Sequence, residues 1–262
     1  MRGTGGSAHP CATAQGIRPR RNKIKKIIMD IKNKVVIVTG ASEGIGRATA
    51  KLLAARGARV VLAARNAERL AGLAKELPDS LAVPTDMRRS EDIAHLIDVT
   101  VAKFGKIDVL INNAGQGMYG PVATADVDEY RNIMELNVFG VLRAMQAVIP
   151  RMRQQGGGMI VNVSSRVSKN YFPNLGAYAS TKYALNALSL TARAELAPDH
   201  IVVSVVHPRM TATDFGKNAA GAHPDMSALY AHPERSREID TADQVAEKIA
   251  EVIASEEAEI GL

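Results

Sequence analysis

The chain has a single cysteine, Cys11. One thiol can form neither an intrachain disulfide nor a cysteine-based metal site, which fits a reducing compartment. No apolar run approaches the ~18–20 residues that a membrane-spanning helix needs. With 46% hydrophobic and 23% charged residues, the composition is that of a soluble globular protein, and a cytoplasmic location is expected. No internal repeat is evident. His207, His223 and His232 lack metal-ligand spacing, so no metal is expected.

Acidic residues are almost missing from the first 34 positions, where nine Lys/Arg face Asp30 alone. The other 228 residues hold 24 basic and 26 acidic side chains, so the net charge of +6 belongs to the leader and the body is near neutral. Nucleic acid is therefore not an expected partner of the body. Residues 1–30 are Gly/Ala/Arg-rich, with no apolar periodicity before Ile24, and are expected to be disordered. Three readings of them stand: a targeting peptide, a basic arm for an anionic surface, or an upstream extension ahead of a natural start at Met29.

From residue 34 onward, short apolar runs alternate with amphipathic stretches. Strands are expected at 34–40, 58–64, 80–86, 107–115, 158–165 and 201–208, most of them β-branched and continuously apolar, as in strands covered on both faces. Helices are expected at 45–56, 67–76, 90–104, 126–152, 176–197 and 241–255, with Ser90 as an N-cap and "TADQ" (241–244) as a capping box. This alternation predicts an α/β fold, a doubly wound parallel sheet in one domain over 31–262, with ligands beyond the carboxyl ends of the strands. The chain stops at "AEIGL", where a seventh strand would begin, so that strand is expected to be short or missing. Residues 213–240, rich in Gly, Ala, His and Pro, read as a cover over the cleft or a surface excursion.

"TGASEGIG" (39–46) follows a strand and opens a helix, the setting of a dinucleotide-binding turn. Gly40, Gly44 and Gly46 permit the turn, the close approach of backbone to pyrophosphate and helix-strand packing, with Ser42 and Ile45 beside them. A carboxylate near the end of the second strand would mark NAD; here Arg65 follows Ala64, and an arginine can pair with a 2′-phosphate. NADP is therefore expected over NAD, although Glu43 in the turn argues against it.

In "YASTK" (178–182) the spacing of four puts Tyr178 and Lys182 on one helix face. A neighbouring ammonium and an oxidised nicotinamide would together lower the pKa of a phenol and suit it to proton transfer. With "TGASEGIG", "NNAG" (112–115), "VNVSS" (161–165) and "YASTK" in this order, the chain over 34–215 resembles the short-chain dehydrogenase/reductase family. That resemblance implies Tyr178 as general acid/base, Lys182 holding the nicotinamide ribose, Ser165 orienting the substrate oxygen and Asn137 supporting a water-linked proton relay. It implies further cofactor contacts at Asp86, Met87, Asn113, Ala114, Gly115, Pro208, Thr211 and Thr213. It also implies a homodimer or homotetramer formed through the helices at 126–152 and 176–197.

The sequence departs from the family pattern at Arg209, where Gly usually follows Pro, and in "SSRVSKN" (164–170), which lacks a glycine often found there. Met118, Tyr119, Val167, Tyr171, Phe172, Met210, Phe215, Met226, Leu229 and Tyr230 are cleft candidates that suggest an apolar or mixed carbonyl or alcohol substrate. Two function classes follow: an NADP-dependent oxidoreductase, or a non-catalytic dinucleotide-binding protein of the same fold. The set Asn137, Ser165, Tyr178 and Lys182 favours the first, because a sensor needs no proton donor.

Overall fold

The computed structural model describes residues 29–221 and 239–262. The basic leader up to residue 28, with Cys11, lies outside the described residues, as do His223, Met226, Leu229, Tyr230 and His232. The main strands are β1 (Val35–Thr39), β2 (Arg59–Ala64), β3 (Leu81–Pro84), β4 (Val109–Asn112), β6 (Gly158–Val163), β7 (Ile201–His207) and β9 (Glu259–Gly261). They form one sheet in the order β3-β2-β1-β4-β6-β7-β9, with every pairing parallel. Strand order reverses between β1 and β4, which opens a crevice at their carboxyl ends.

The helices are α1 (Gly44–Ala55), α2 (Ala67–Glu76), α3 (Ser90–Phe104), α4 (Val127–Met134), α5 (Gly140–Gln154), α6 (Gly176–Leu196) and α7 (Ala242–Ser255). The two-residue period of the strands sorts them onto two faces. Val36 and Val38 of β1 pack with Leu53 of α1, Leu70 of α2 and Ile249 of α7. Val35 and Ile37 turn the other way, toward Leu96 of α3, Met145 of α5 and Leu185 of α6. Continuous apolar runs are therefore required, and polar chemistry is pushed to the strand ends. A second, two-stranded pairing joins β5 (Met118–Tyr119) to β8 (Ala220–Gly221).

Several local expectations change. The helix expected at 126–152 is interrupted by a π-helical turn, Glu135–Phe139, between α4 and α5. Helix α3 begins at Ser90 itself, with Arg89 at the cap position and no side-chain cap, so Ser90 is not the N-cap. At Thr241 the capping box forms as expected. The final strand is short, one of the two outcomes expected: Val205, Val206 and His207 pair with Glu259, Ile260 and Gly261, and this strand forms the edge of the sheet. The helical stretch Val127–Gln154 also meets the length and hydropathy of a membrane span, contrary to the sequence expectation, but half of its most apolar window is buried inside the protein, as in a core helix.

Gly140 opens α5 at its closest approach to the loop after β3. A Cβ there would stand 2.3 Å from the Met87 carbonyl oxygen, a backbone atom that cannot yield cheaply. Gly140→Ala is expected to destabilise the protein by about 1–3 kcal/mol, the usual cost of overpacking, as measured by urea denaturation.

Candidate active site

The crevice is built from loops that follow β1, β3, β4, β6 and β7. After β1 the chain turns at Gly40 (φ +66°) and Gly44 (φ +54°), left-handed conformations that favour glycine. Helix α1 then starts with no side-chain cap, so its first N–H groups remain available at the crevice. A Cβ on Gly46 would stand 2.2 Å from the Gly40 carbonyl oxygen, so this glycine serves the packing of helix on turn. Ile45 packs against the core while Ser42 stays half-buried at the turn.

Thr39, Asn113 and Ala114 lock this turn to β4. The buried Thr39 hydroxyl donates to the Ile111 carbonyl at 3.2 Å and accepts from the Asn113 and Ala114 N–H groups, each at 3.0 Å. Asn113 Nδ2 in turn donates to the Thr39 carbonyl at 2.9 Å. The "NNAG" motif therefore ties the central strands together whatever else it touches.

Tyr178 and Lys182 share one face of α6, and both are buried. The Lys182 ammonium donates to the Val163 carbonyl at 2.9 Å and lies 5.9 Å from the centre of the Tyr178 ring. Among the described residues no other acceptor meets it, so further N–H donors point into the crevice. Burial lowers its pKa from 10.5 to about 8. Burial likewise pushes the Tyr178 phenol above the ordinary tyrosine range, while a side-chain hydrogen bond with Ser165 acts the other way and Tyr119 adds to the rise. In the protein alone desolvation therefore dominates the phenol; the lowering expected from the sequence is that of an ammonium and an oxidised nicotinamide together.

Ser165 ends the loop after β6 and accepts from the Val167 N–H at 3.3 Å. Asn137 sits fully buried in the π-helical turn. Its Oδ1 accepts from the Gln116 N–H at 2.9 Å, and its Nδ2 donates to the Gln116 carbonyl at 2.9 Å and to Thr181 Oγ1 at 3.1 Å. Gly115 lies between Asn137 and Lys182, and a Cβ there would be 3.2 Å from the first and 3.7 Å from the second. A single crevice thus brings together Asn137, Ser165, Tyr178 and Lys182.

After β3, Asp86 accepts from the Arg88 N–H at 3.0 Å, and Met87 is buried beside it. Arg65 is exposed at the end of β2 and has no ion-pair partner among the described residues. Glu43 is engaged elsewhere: it is ion-paired with Arg69 of α2 and accepts from Asn218 Nδ2 at 2.9 Å. After β7, the Pro208 carbonyl accepts from the Arg166 N–H at 2.9 Å, and Thr213 lies against the open side of Gly44. Phe215 rests on Tyr178 with ring centroids 5.7 Å apart. In the described part of the 213–240 stretch, Thr213 therefore lies at the glycine turn and Phe215 at the phenol.

Arg209, where the sequence departs from the family pattern, pairs with Asp240. Its guanidinium grips Asp240 at 2.6 and 3.3 Å, and Asp240 is only 2% exposed. Thr211 also bridges Asp240 in parallel, so the base of the excursion is clamped. Sequence reading missed Asp240, Arg69, Gln116 and Asn218, because each acts through a partner far away in the chain. Of the apolar candidates, Met118 is buried and Phe215 is in place, whereas Tyr171, at 89% exposure, stacks on Tyr183 at the rim.

Residues 34–223 match the short chain dehydrogenase family. The chain belongs to that family. Membership makes it a short-chain dehydrogenase/reductase, an oxidoreductase. It is 33% identical over 210 residues to an uncharacterized oxidoreductase of Listeria monocytogenes, covering 77% of this chain and 85% of that one. A 3-ketoacyl-(acyl-carrier-protein) reductase from Brucella melitensis, solved with NADH, superposes with a TM-score of 0.80 at 28% identity, covering 88% of this chain and 97% of that one. An alcohol dehydrogenase from the archaeon Thermococcus sibiricus, solved with 5-hydroxy-NADP, gives 0.76 at 28% identity over 87% and 95%. Among the described residues no cluster of His, Cys, Asp or Glu could hold a metal.

Lys182 generates a stability prediction for this short-chain dehydrogenase. Because its folded pKa lies below the unfolded value, the unfolded chain binds more protons between pH 8 and 10.5, and folding stability should rise with pH across that window. Lys182→Met is expected to melt higher than the parent at pH 7. The gap should close as the pH approaches 10.5, as followed by thermal denaturation of the ligand-free protein.

Proposed function

We propose that this short-chain dehydrogenase moves a hydride between the nicotinamide of NADP and a carbonyl or secondary alcohol, with Tyr178 as general acid and base. The observation that carries the reading is that Tyr178 and Lys182 are buried on one face of α6, with the ammonium 5.9 Å from the phenol ring and keeping unpaired donors. The residues present fit a dinucleotide. Positive φ at Gly40 and Gly44 and the uncapped start of α1 suit a pyrophosphate, and the spare Lys182 donors suit ribose hydroxyls.

Gly40, Ser42, Gly44, Ile45 and Gly46 would hold the phosphates, Asp86 and Met87 the adenine side, and Asn113, Ala114, Gly115, Pro208, Thr211 and Thr213 the nicotinamide side. Once bound, the cofactor supplies or accepts the hydride. Ser165 donates a hydrogen bond to the substrate oxygen and turns it toward Tyr178. The phenol then delivers its proton to that oxygen in reduction, or takes it in oxidation. Lys182 favours the phenolate through its charge while it remains protonated, and Asn137 holds the backbone of residue 116 beside that ammonium. Asn137 also supports the proton relay behind Lys182.

Preference for NADP over NAD rests on Arg65, exposed and unpaired among the described residues, and on Glu43, whose carboxylate is already committed to Arg69 and Asn218. Phe215 and Met118 favour an apolar or mixed substrate. Exposed Val127 and Phe139 on the α4–α5 stretch favour assembly as a homodimer or homotetramer, in the cytoplasm.

Tyr178→Phe is expected to bind NADPH as the parent does and to lose on the order of 10²-fold or more in turnover. NADPH oxidation with cyclohexanone, benzaldehyde and menadione measures this, and parental turnover by the variant would remove the mechanism. Arg65→Ala should weaken NADPH roughly 10-fold more than NADH, since a charge-assisted bond is lost only from the phosphorylated cofactor. Equal losses in fluorescence titration would remove the 2′-phosphate assignment.

A further inference from the structure

Behind Ser165, on the side away from the crevice, lies a buried polar chain that the proposed chemistry does not use. Ser168, 2% exposed, donates its hydroxyl hydrogen to the Ser165 carbonyl at 2.6 Å. Its oxygen accepts from Asn186 Nδ2 at 2.8 Å and faces His207 Nδ1 at 3.3 Å and Ser164 Oγ at 3.3 Å. His207, 5% exposed at the last position of β7, places its other nitrogen 2.9 Å from Glu259 Oε1. The same oxygen of Glu259 accepts from Lys169 Nζ at 2.7 Å. Residues from the β6 loop, α6, β7 and β9 thus converge behind one serine.

Counting hydrogens gives the chain a direction. A carboxylate only accepts, so Nε2 of His207 carries a hydrogen and donates it to Glu259. Ser168 has a single hydroxyl hydrogen, and the shortest of its contacts, to the Ser165 carbonyl, takes it. That leaves no hydrogen between the Ser168 oxygen and Nδ1 of His207, so the groups that hold this oxygen are its donors, Asn186 Nδ2 at 2.8 Å and Ser164 Oγ at 3.3 Å. We propose that Ser168 is a positioning residue: Asn186 and Ser164 fix its hydroxyl, and that hydroxyl holds the Ser165 backbone so that its side chain meets the substrate oxygen. The proposal rests on the reading of Ser165 as the group that orients the substrate. It gives a role to a buried serine in the segment where this sequence departs from the family pattern.

The test is a double-mutant cycle. Ser165→Ala, Ser168→Ala and the double variant are assayed by NADPH oxidation with the fastest of cyclohexanone, benzaldehyde and menadione. Ser168→Ala is expected to lower kcat on the order of 10-fold, as misorientation without loss of a reacting group does, with KM for NADPH nearly unchanged. In the Ser165→Ala background the same change should cost nothing more, because there is no side chain left to orient. Ser168→Thr, which keeps the hydroxyl, should recover most of the loss. Asn186→Ala, which removes the nearest donor to the Ser168 oxygen, should lower kcat in the same direction and, like Ser168→Ala, cost nothing more in the Ser165→Ala background.

An equal loss from Ser168→Ala in both backgrounds, or none in either, overturns the proposal. A result in which Ser165→Ala alone turns over like the parent instead removes the reading of Ser165, which separates the two failures.

Discussion

The Thr39 hydroxyl stitches together the ends of the two central strands. It is 1% exposed and makes three hydrogen bonds, one to the Ile111 carbonyl and two from the backbone after β4. A parallel sheet buried on both faces hosts a polar group along a strand only where a partner meets it, as Arg193 meets Ser204 in β7, so most polar residues collect where the strands end. Thr39 stands at the point where strand order reverses, and it sets the spacing between the glycine turn and the "NNAG" loop. Gly40, Asn113 and Gly115 all take their places from that spacing, and Lys182 is brought to within reach of Gly115.

Lys182 shows what such a crevice costs. A buried ammonium with only a carbonyl partner opposes folding at neutral pH, and its pKa falls to about 8 as a result. The protein tolerates this because the surrounding groups are rigid. Asn137 is fully hydrogen-bonded within a π-helical turn, and such turns occur where a helix must present a side chain that regular geometry would misplace. Rigid surroundings and an under-satisfied cation are the combination expected where a ligand completes the hydrogen bonding.

An ion pair and a histidine hydrogen bond organise the carboxyl side of β7. Arg209 closes on buried Asp240, clamping the base of the excursion that begins at Thr211. Breaking either partner would strand a buried charge, so the clamp acts as a unit. His207, two residues earlier, reaches the opposite way to Glu259 on the last strand. The segment that follows Pro208 is thus held between α7 and the sheet edge, while its next residues lie over Gly44 and Tyr178.

Much of this was legible in the chain alone. Apolar runs alternating with amphipathic stretches specify a sheet covered on both faces, because burial demands that pattern locally. The glycine turn, and the spacing of Tyr178 to Lys182, could be read because each is a local feature of backbone or helix geometry. The π-helical turn and the Ser90 start of α3 could not, since a few residues at an element's end take their state from neighbours. Arg209 and Glu43 looked like liabilities in the sequence because their partners, Asp240 and Asn218, stand 31 and 175 residues away. The sequence by itself determined the sheet and the identity of the groups at its edge, for these depend on local periodicity and motif spacing. Tertiary structure alone decided which charges are paired, which are desolvated and which keep donors to spare, because those are properties of distance through space.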